Sequence, residues 1–341
     1  MHSSPHMIAL ATLTGALSLA CGTTSDTGFP GAAIESALEP AVHSRPAPAR
    51  PFVRVLGTVQ DGGLPHAGCS CETCVLASNS PAGKRWVASL AIVLPGSGEV
   101  YLIDATPDLP EQIEQLSDTR SYEVGRVDRS PVSGIFLTHA HMGHYLGLAH
   151  LGYEVMHAEA TPVFGTPSMN EYLASNGPWS QLVEFGNIAL HEVVEDQPIE
   201  LGEGVSVRAI AVPHRKEFTD TVGFLIEGPL RSMFYVPDTD AWNAWSPPIQ
   251  DVLAGVDIAL VDGTFYSLEE LPGRSISEIG HPLITQSMEV LQNLVATGAL
   301  QVYFTHINHS NPALDRGSDA AVEIEDREGF HVLAEGQEFP L

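Results

Sequence analysis

Short apolar runs separated by polar, glycine- and proline-rich breaks cover the chain from Phe52 onward. Residues 52–58, F-V-R-V-L-G-T, alternate as a strand does, and 88–94 and 99–104 are apolar runs joined by P-G-S-G, the composition of a hairpin turn. Residues 134–137, 162–165, 188–193 and 205–212 predict four further strands, with helical or irregular segments around 168–175 and 179–185. A second hairpin runs over 221–227 and 232–236 across G-P-L-R, and 256–262 and 301–305 are two more strands. Between those two, Ile284, Met288, Leu291 and Val295 recur at helical spacing and predict a helix lying on a sheet. Strands interleaved with helices predict the α/β class. The similar order of strands before and after the middle suggests two alike halves facing each other.

Composition narrows the function classes. The 341 residues, 44% of them hydrophobic, suffice for one large core. The 15 Lys+Arg against 42 Asp+Glu give 15 − 42 = −27, a field that repels phosphate backbones and anionic lipid. Bulk charge therefore argues against a nucleic-acid or membrane-surface binder, although a bound cation can still hold an anion locally.

The N-terminal residues bear on location. Residues 7–20 form an apolar, small-residue run too short to span a bilayer, ending just before Cys21. The pattern resembles a bacterial lipoprotein signal, so 1–21 is expected to be a signal peptide with Cys21 as the lipidated residue; an ordinary secretory peptide is the alternative. Residues 22–51, rich in Pro, Ala and Ser and containing R-P-A-P-A-R-P, bury little apolar surface and are expected to form a tether before a domain at 52–341. The expectation is an exported bacterial protein, periplasmic or membrane-anchored, that meets the membrane only through its N-terminal lipid.

Candidate chemistry gathers at strand ends. After the strand 134–137, His139, His141 and His144 arrive within six residues, in T-H-A-H-M-G-H. Alternate residues leaving a strand aim two imidazoles at one point, and a third at the start of a helix faces that point from the other side. Other strands end in A-V-P-H with His214, in Y-V-P-D-T-D with Asp238, in V-D-G-T-F with Asp262, and in F-T-H with His306. Strand ends collected on one edge of a sheet are where α/β proteins bind ligands. Asp104 likewise leaves an apolar strand, where an acid is a cap as often as a functional group. Cys69, Cys71 and Cys74 lie within six residues in C-S-C-E-T-C, too close for easy mutual pairing and odd in number. They suit a four-coordinate zinc with a ligand from elsewhere, for which His309 is the candidate; a strained local disulfide with one free thiol, or a redox group, are the alternatives.

Together, C-S-C-E-T-C, T-H-A-H-M-G-H, D-G-T-F, I-G-H-P and F-T-H-I-N-H-S-N-P-A-L resemble the metallo-β-lactamase superfamily, in the branch that holds the pyrroloquinoline-quinone biosynthesis protein B and the phosphonate-pathway cyclic phosphodiesterase. The resemblance implies an αββα sandwich, two facing mixed sheets covered by helices. It implies that His139, His141 and His214 bind a first metal, that Asp238 bridges to a second held by His144 and His306, and that Asp238 and His214 are catalytic. It also implies that His309 completes Cys69, Cys71 and Cys74, and that Asp104 supports a ligand histidine from behind. Asp61, Asp262 and His281 are expected to support ligands or contact substrate. Gly143 stands where the family motif H-x-H-x-D-H carries the aspartate of the second metal. That leaves a weakened second site, an open position, or replacement by a neighbour such as His281 or Asp61.

The expected cofactors are one or two divalent ions (Zn, Mn or Fe) at the histidines and one structural Zn. The expected function is a metal-dependent hydrolase using metal-activated hydroxide on a small molecule, a phosphodiester or another ester-like compound. Two alternatives stay open: an iron-dependent oxidative enzyme resembling the biosynthesis protein, and a noncatalytic metal-binding accessory lipoprotein.

Overall fold

A computed structural model describes residues 50–120, 125, 127–275 and 278–341. The expected signal peptide 1–21 with Cys21, and the tether as far as residue 49, lie outside the described residues.

The strands, in chain order, are β1 (Phe52–Gly57), β2 (Ser89–Leu94), β3 (Glu99–Ile103), β4 (Gly134–Phe136), β5 (Thr161–Gly165), β6 (Ile188–Glu192) and β7 (Ile199–Gly202). They continue as β8 (Val205–Ala211), β9 (Val222–Glu227), β10 (Ser232–Val236), β11 (Ile258–Asp262), β12 (Gln301–Thr305), β13 (Phe330–Val332) and β14 (Glu338–Pro340). They form two seven-stranded sheets, ordered β14-β1-β2-β3-β4-β5-β6 and β13-β12-β11-β10-β9-β8-β7. Each sheet is mixed in the same way. In the first, β14, β1, β2 and β3 pair antiparallel and β3 to β6 parallel; in the second, β7 to β10 pair antiparallel and β10 to β13 parallel. The two alike halves read from strand order are therefore present, with β14 returning from the C-terminus to complete the first.

Burial on both faces explains the unbroken apolar runs. In β2, Leu90, Ile92 and Leu94 point between the sheets, while Ala91 and Val93 pack outward with Leu109, Ile113, Met169, Leu173 and Trp179 from the helices Leu109–Glu114, Pro167–Ser175 and Trp179–Glu184. In β10 the same alternation sends Met233 and Tyr235 inward to meet the first sheet. Phe234 and Val236 face outward to Ile284, Met288, Leu291 and Val295 of the helix Ile284–Val295. Each Val, Leu, Ile, Phe or Met among them contributes about 1.5–3 kcal/mol on burial. The four layers are helices, sheet, sheet, helices, the expected αββα sandwich. The short strands β7, β13 and β14, of three or four residues, show no period in the sequence, and their partners hold them in place: Val53 lies opposite Phe339 and Phe304 opposite Val332.

The topology sets the site. The C-terminal ends of β3, β4, β8, β10, β11 and β12 lead directly into Asp104, the histidine loop, His214, Asp238, Asp262 and His306. Two hydrogen bonds tie the loops of the two sheets together there: Val222 N–H donates to Thr138 O at 3.0 Å, and Ala140 N–H donates to the Thr219 hydroxyl at 3.0 Å.

Candidate metal centres

Beyond β4 the chain stays extended through His141 (φ −94°, ψ 148°) and then enters the short helix Met142–Tyr145, closed by His144 N–H donating to His141 O at 2.9 Å. Extension puts the His139 and His141 side chains on one side, and the helical turn brings His144 back beside them. His214 and Asp238 reach the same point from the other sheet. His139 Nε2 lies 2.8 Å from His141 Nδ1 and 3.3 Å from Asp238 Oδ2. His214 Nε2 lies 3.2 Å from His141 Nδ1 and 3.1 Å from Asp238 Oδ2, and His141 Nδ1 lies 3.7 Å from that oxygen. Four donors about 2.0–2.1 Å from one tetrahedral cation sit about 3.3–3.4 Å apart, so these separations fit a single ion.

A second group adjoins the first. His144 Nε2 and His306 Nε2 each lie 3.4 Å from Asp61 Oδ1. Asp238, Asp262, His281 and His306 form an overlapping set whose ligand atoms lie within 4.8 Å of one another. Two buried atoms facing this region have no hydrogen-bond partner, His144 Nε2 and Asp238 Oδ1. A buried polar atom left unpaired costs about 1–3 kcal/mol; the His281 ring 3.2 Å from Asp238 Oδ1 balances that oxygen in part, and a metal cation would serve as partner to both atoms. The donor sets thus fit a pair of metal ions, with Asp238 common to both.

The far nitrogen of each ring is held as well. Asp104 Oδ2 accepts from His144 Nδ1 at 2.7 Å, Asp240 Oδ1 lies 3.2 Å from His214 Nδ1, and Glu217 Oε2 lies 3.1 Å from His141 Nε2. His139 Nδ1 and His306 Nδ1 lie 3.0 Å and 2.9 Å from the hydroxyls of Thr138 and Thr264. Each hydroxyl donates in turn to an aspartate, Thr138 to Asp104 and Thr264 to Asp262, which leaves it free to accept from the ring. A carboxylate only accepts, so the proton stays on the far nitrogen and the lone pair of the near one points into the cluster. The arrangement repeats across the two halves: Asp104 serves Thr138 and His144 as Asp262 serves Thr264 and His281, whose Nδ1 is 2.8 Å from Asp262 Oδ2. Asp104 and His306 adopt positive φ, 69° and 57°, and such strain persists because these bonds hold it.

Electrostatics follow the contacts. Burial and then the nearby His144 push the His139 ring down to about 3, so it is neutral and available as a ligand. Burial opposes a charge on His144, but Asp104 and Asp61 outweigh it and hold that ring well above the ordinary histidine range. Burial likewise opposes a charge on His281, and Asp262 and Asp238 push it up to about 9. For Asp238, burial favours the neutral acid, yet His281, His139, His141 and His214 hold the carboxyl well below the usual range.

The cysteine cluster is separate. Cys69 Sγ and Cys71 Sγ each lie 3.6 Å from His309 Nδ1, and Cys74 joins them in a group within 4.8 Å. Bonds of about 2.3 Å to sulfur and 2.05 Å to nitrogen place tetrahedral S and N ligands about 3.6 Å apart. The thiols are free, so the disulfide alternative is not what the fold builds. The Cys74 N–H and then His309 lower the Cys71 thiol to about 6, toward the thiolate a zinc ligand requires, while burial pushes the Cys74 thiol up to about 11.

Every histidine and carboxylate singled out in the described sequence lies in or against these clusters. Glu217, Asp240, Thr138 and Thr264 join them without a motif of their own. Their one local signal is position: Asp240 is two residues past Asp238, Glu217 three past His214, and the threonines flank His139 and Asp262.

A family model described as a Beta-lactamase superfamily domain matches residues 100–307. Coenzyme PQQ synthesis protein B of Methylobacterium radiotolerans is 28% identical over 313 residues, covering 85% of this chain and 99% of that protein. The same protein of Cupriavidus necator is 27% identical over 316 residues, covering 85% and 99%. Among solved structures, Zn(2+)-bound PqqB from Methylobacterium extorquens aligns with a TM-score of 0.69 at 24% identity, over 85% of this chain and 100% of the other. A diphosphatase from the PhnP family aligns at 0.59 and 22%, over 86% and 97%. With the fold, the histidine loop and the match over more than half its length, the chain belongs to the metallo-β-lactamase superfamily.

Proposed function

We propose that this protein is a metal-dependent hydrolase acting on a phosphodiester or another small ester-like molecule. The observation that carries this reading is the Asp238 carboxylate. Its Oδ2 belongs to the His139, His141 and His214 group, while Oδ1 is buried without a hydrogen-bond partner and lies 3.2 Å from His281 Nδ1 beside the second group. A carboxylate shared by two cations has this placement. A bound divalent cation lowers the pKa of water toward neutrality and polarises a phosphoryl or acyl oxygen.

In this reading His139, His141, His214 and Asp238 hold the first ion and His144, His306 and Asp238 the second, for which zinc, manganese and iron all suit the donors. His214 and Asp238 are the catalytic pair in this reading. Cys69, Cys71, Cys74 and His309 hold a structural zinc. Glu217 and Asp240 keep two rings aimed, and His281, 14% exposed in its side chain, offers a protonated ring at the rim. Arg215, on the exposed segment after His214, is paired with Glu217 at 2.8 Å and so helps fix the carboxylate that holds His141. The test is turnover of bis(p-nitrophenyl) phosphate with zinc or manganese by the parent and by His141→Ala and Asp238→Ala. Both variants should lose turnover while melting like the parent; retained turnover in both would overturn the reading.

A second reading, an iron-dependent oxidative enzyme, is favoured by the likeness to coenzyme PQQ synthesis protein B. Oxygen consumption with ferrous iron separates it from hydrolysis, and the absence of both reactions with every metal would favour an accessory role. Export rests on residues 1–21 alone: metabolic labelling with palmitate that is lost in Cys21→Ser would support a lipid anchor.

A further inference from the structure

We infer that Asp61, on the loop after β1, supplies to the second centre the carboxylate that position 143 lacks. This rests on the two-cation reading of the site, and deepens it.

The first observation is volume. A Cβ built on Gly143 would lie 2.0 Å from Asp61 Oδ1, 2.6 Å from its Cγ and 2.9 Å from its Cα. The space a side chain at 143 would enter is filled by the carboxylate and backbone of Asp61. The second is a ligand-seeking atom that the fold leaves open. His144 is fully buried, its Nδ1 is committed to Asp104, and its Nε2 has no hydrogen-bond partner although Asp61 Oδ1 stands 3.4 Å away. With His306 Nε2 also 3.4 Å from that oxygen, at the long end of a hydrogen bond, the three atoms have a spacing that ligands around one ion at about 2.0–2.2 Å would share. The third is the turn that delivers Asp61. Gly63 N–H donates to Gln60 O at 2.8 Å with Gly63 at φ +68°, and a Cβ on Gly62 would meet the His66 ring at 2.2 Å. Two glycines thus let the chain double back and push Asp61 across the sandwich mouth.

A carboxylate in this place restores the negative charge that the motif loses at Gly143. The test counts metal, independently of activity. After loading with zinc and desalting, the parent, Asp61→Asn, Gly143→Asp and the double variant Asp61→Gly with Gly143→Asp are measured by elemental analysis and by calorimetric titration. Asp61→Asn, which keeps the volume and removes the charge, should lose one equivalent of zinc or bind it at least 10-fold more weakly, with the remaining equivalents unchanged. Gly143→Asp should lose the same equivalent, because two carboxylates cannot share that space. The double variant should recover it in part, its recovery limited by the Asp61 Cα 2.9 Å from the new Cβ. Unchanged zinc content and affinity in Asp61→Asn overturns the inference. A parent that binds fewer than two zinc ions beyond the cysteine cluster would instead overturn the two-cation reading itself, so the failures are distinct.

Discussion

Replacing Asp104 by asparagine tests how far the second centre depends on a group that touches no ligand position itself. Asp104 is fully buried and accepts from Thr138 N–H and the Thr138 hydroxyl at 2.9 Å each, and from His144 Nδ1 at 2.7 Å. Its φ of 69° is one that asparagine tolerates, so the substitution adds little backbone strain. Asparagine keeps one acceptor oxygen, which the Thr138 backbone can retain, and turns an N–H toward His144 Nδ1. Donor then faces donor. His144 must either break that bond or place its proton on Nε2, the atom that faces Asp61 and His306. Loss of such an orienting partner costs about 10–100-fold in metal affinity, which is about 1.4–2.7 kcal/mol. Calorimetric titration of zinc against a competing chelator should show the weaker-bound ion displaced by that factor in Asp104→Asn. A thermal melt in parallel checks that the buried network still folds. If the folded variant binds both ions within about threefold of the parent, the orientation argument fails and Asp104 is only a structural tie.

Three further outcomes follow from the same geometry. Cys74→Ser should lose the thiolate-bound zinc and lower the melting temperature; it should also weaken the second centre more than the first. The reason is that Asp61 and His306 sit on the two segments which that cluster staples, joined by Gln60 N–H to Ile307 O at 3.1 Å and Ile307 N–H to Thr58 O at 2.9 Å. Equal zinc affinity at the second centre with and without the thiolate cluster would refute the coupling. Zinc affinity at the histidine centres should rise with pH across the neutral range, because protons held on His144 and His214 by their carboxylates compete with the ion; a flat profile would refute it. Glu335 is pushed up to about 7 by burial, against the Trp86 N–H that donates to it at 2.6 Å. Its folded value lies above the unfolded one, so stability falls as pH rises from the ordinary glutamate value of 4.5 through about 7. Glu335→Gln should therefore be more stable than the parent above pH 7 and equal to it in acid, as read by denaturant melts.

Much of the site is legible in residue order because its main parts are local. The apolar runs reveal β1 to β6 and β8 to β12 to within a few residues, since a strand buried on one or both faces must be apolar at those positions. His139, His141 and His144 read as a cluster because a strand end followed by one helical turn allows little else. The order of the strands also foretells two alike halves. What residue order does not contain is the partnership between distant loops. Glu217 meets His141 across 76 residues, Asp240 meets His214 across 26, and Asp61 meets His306 across 245. Sequence can show that position 143 lacks a carboxylate and name candidates for it. Which one fills the space depends on how two sheets pack and how a glycine turn aims one side chain, and those are properties of volume in three dimensions.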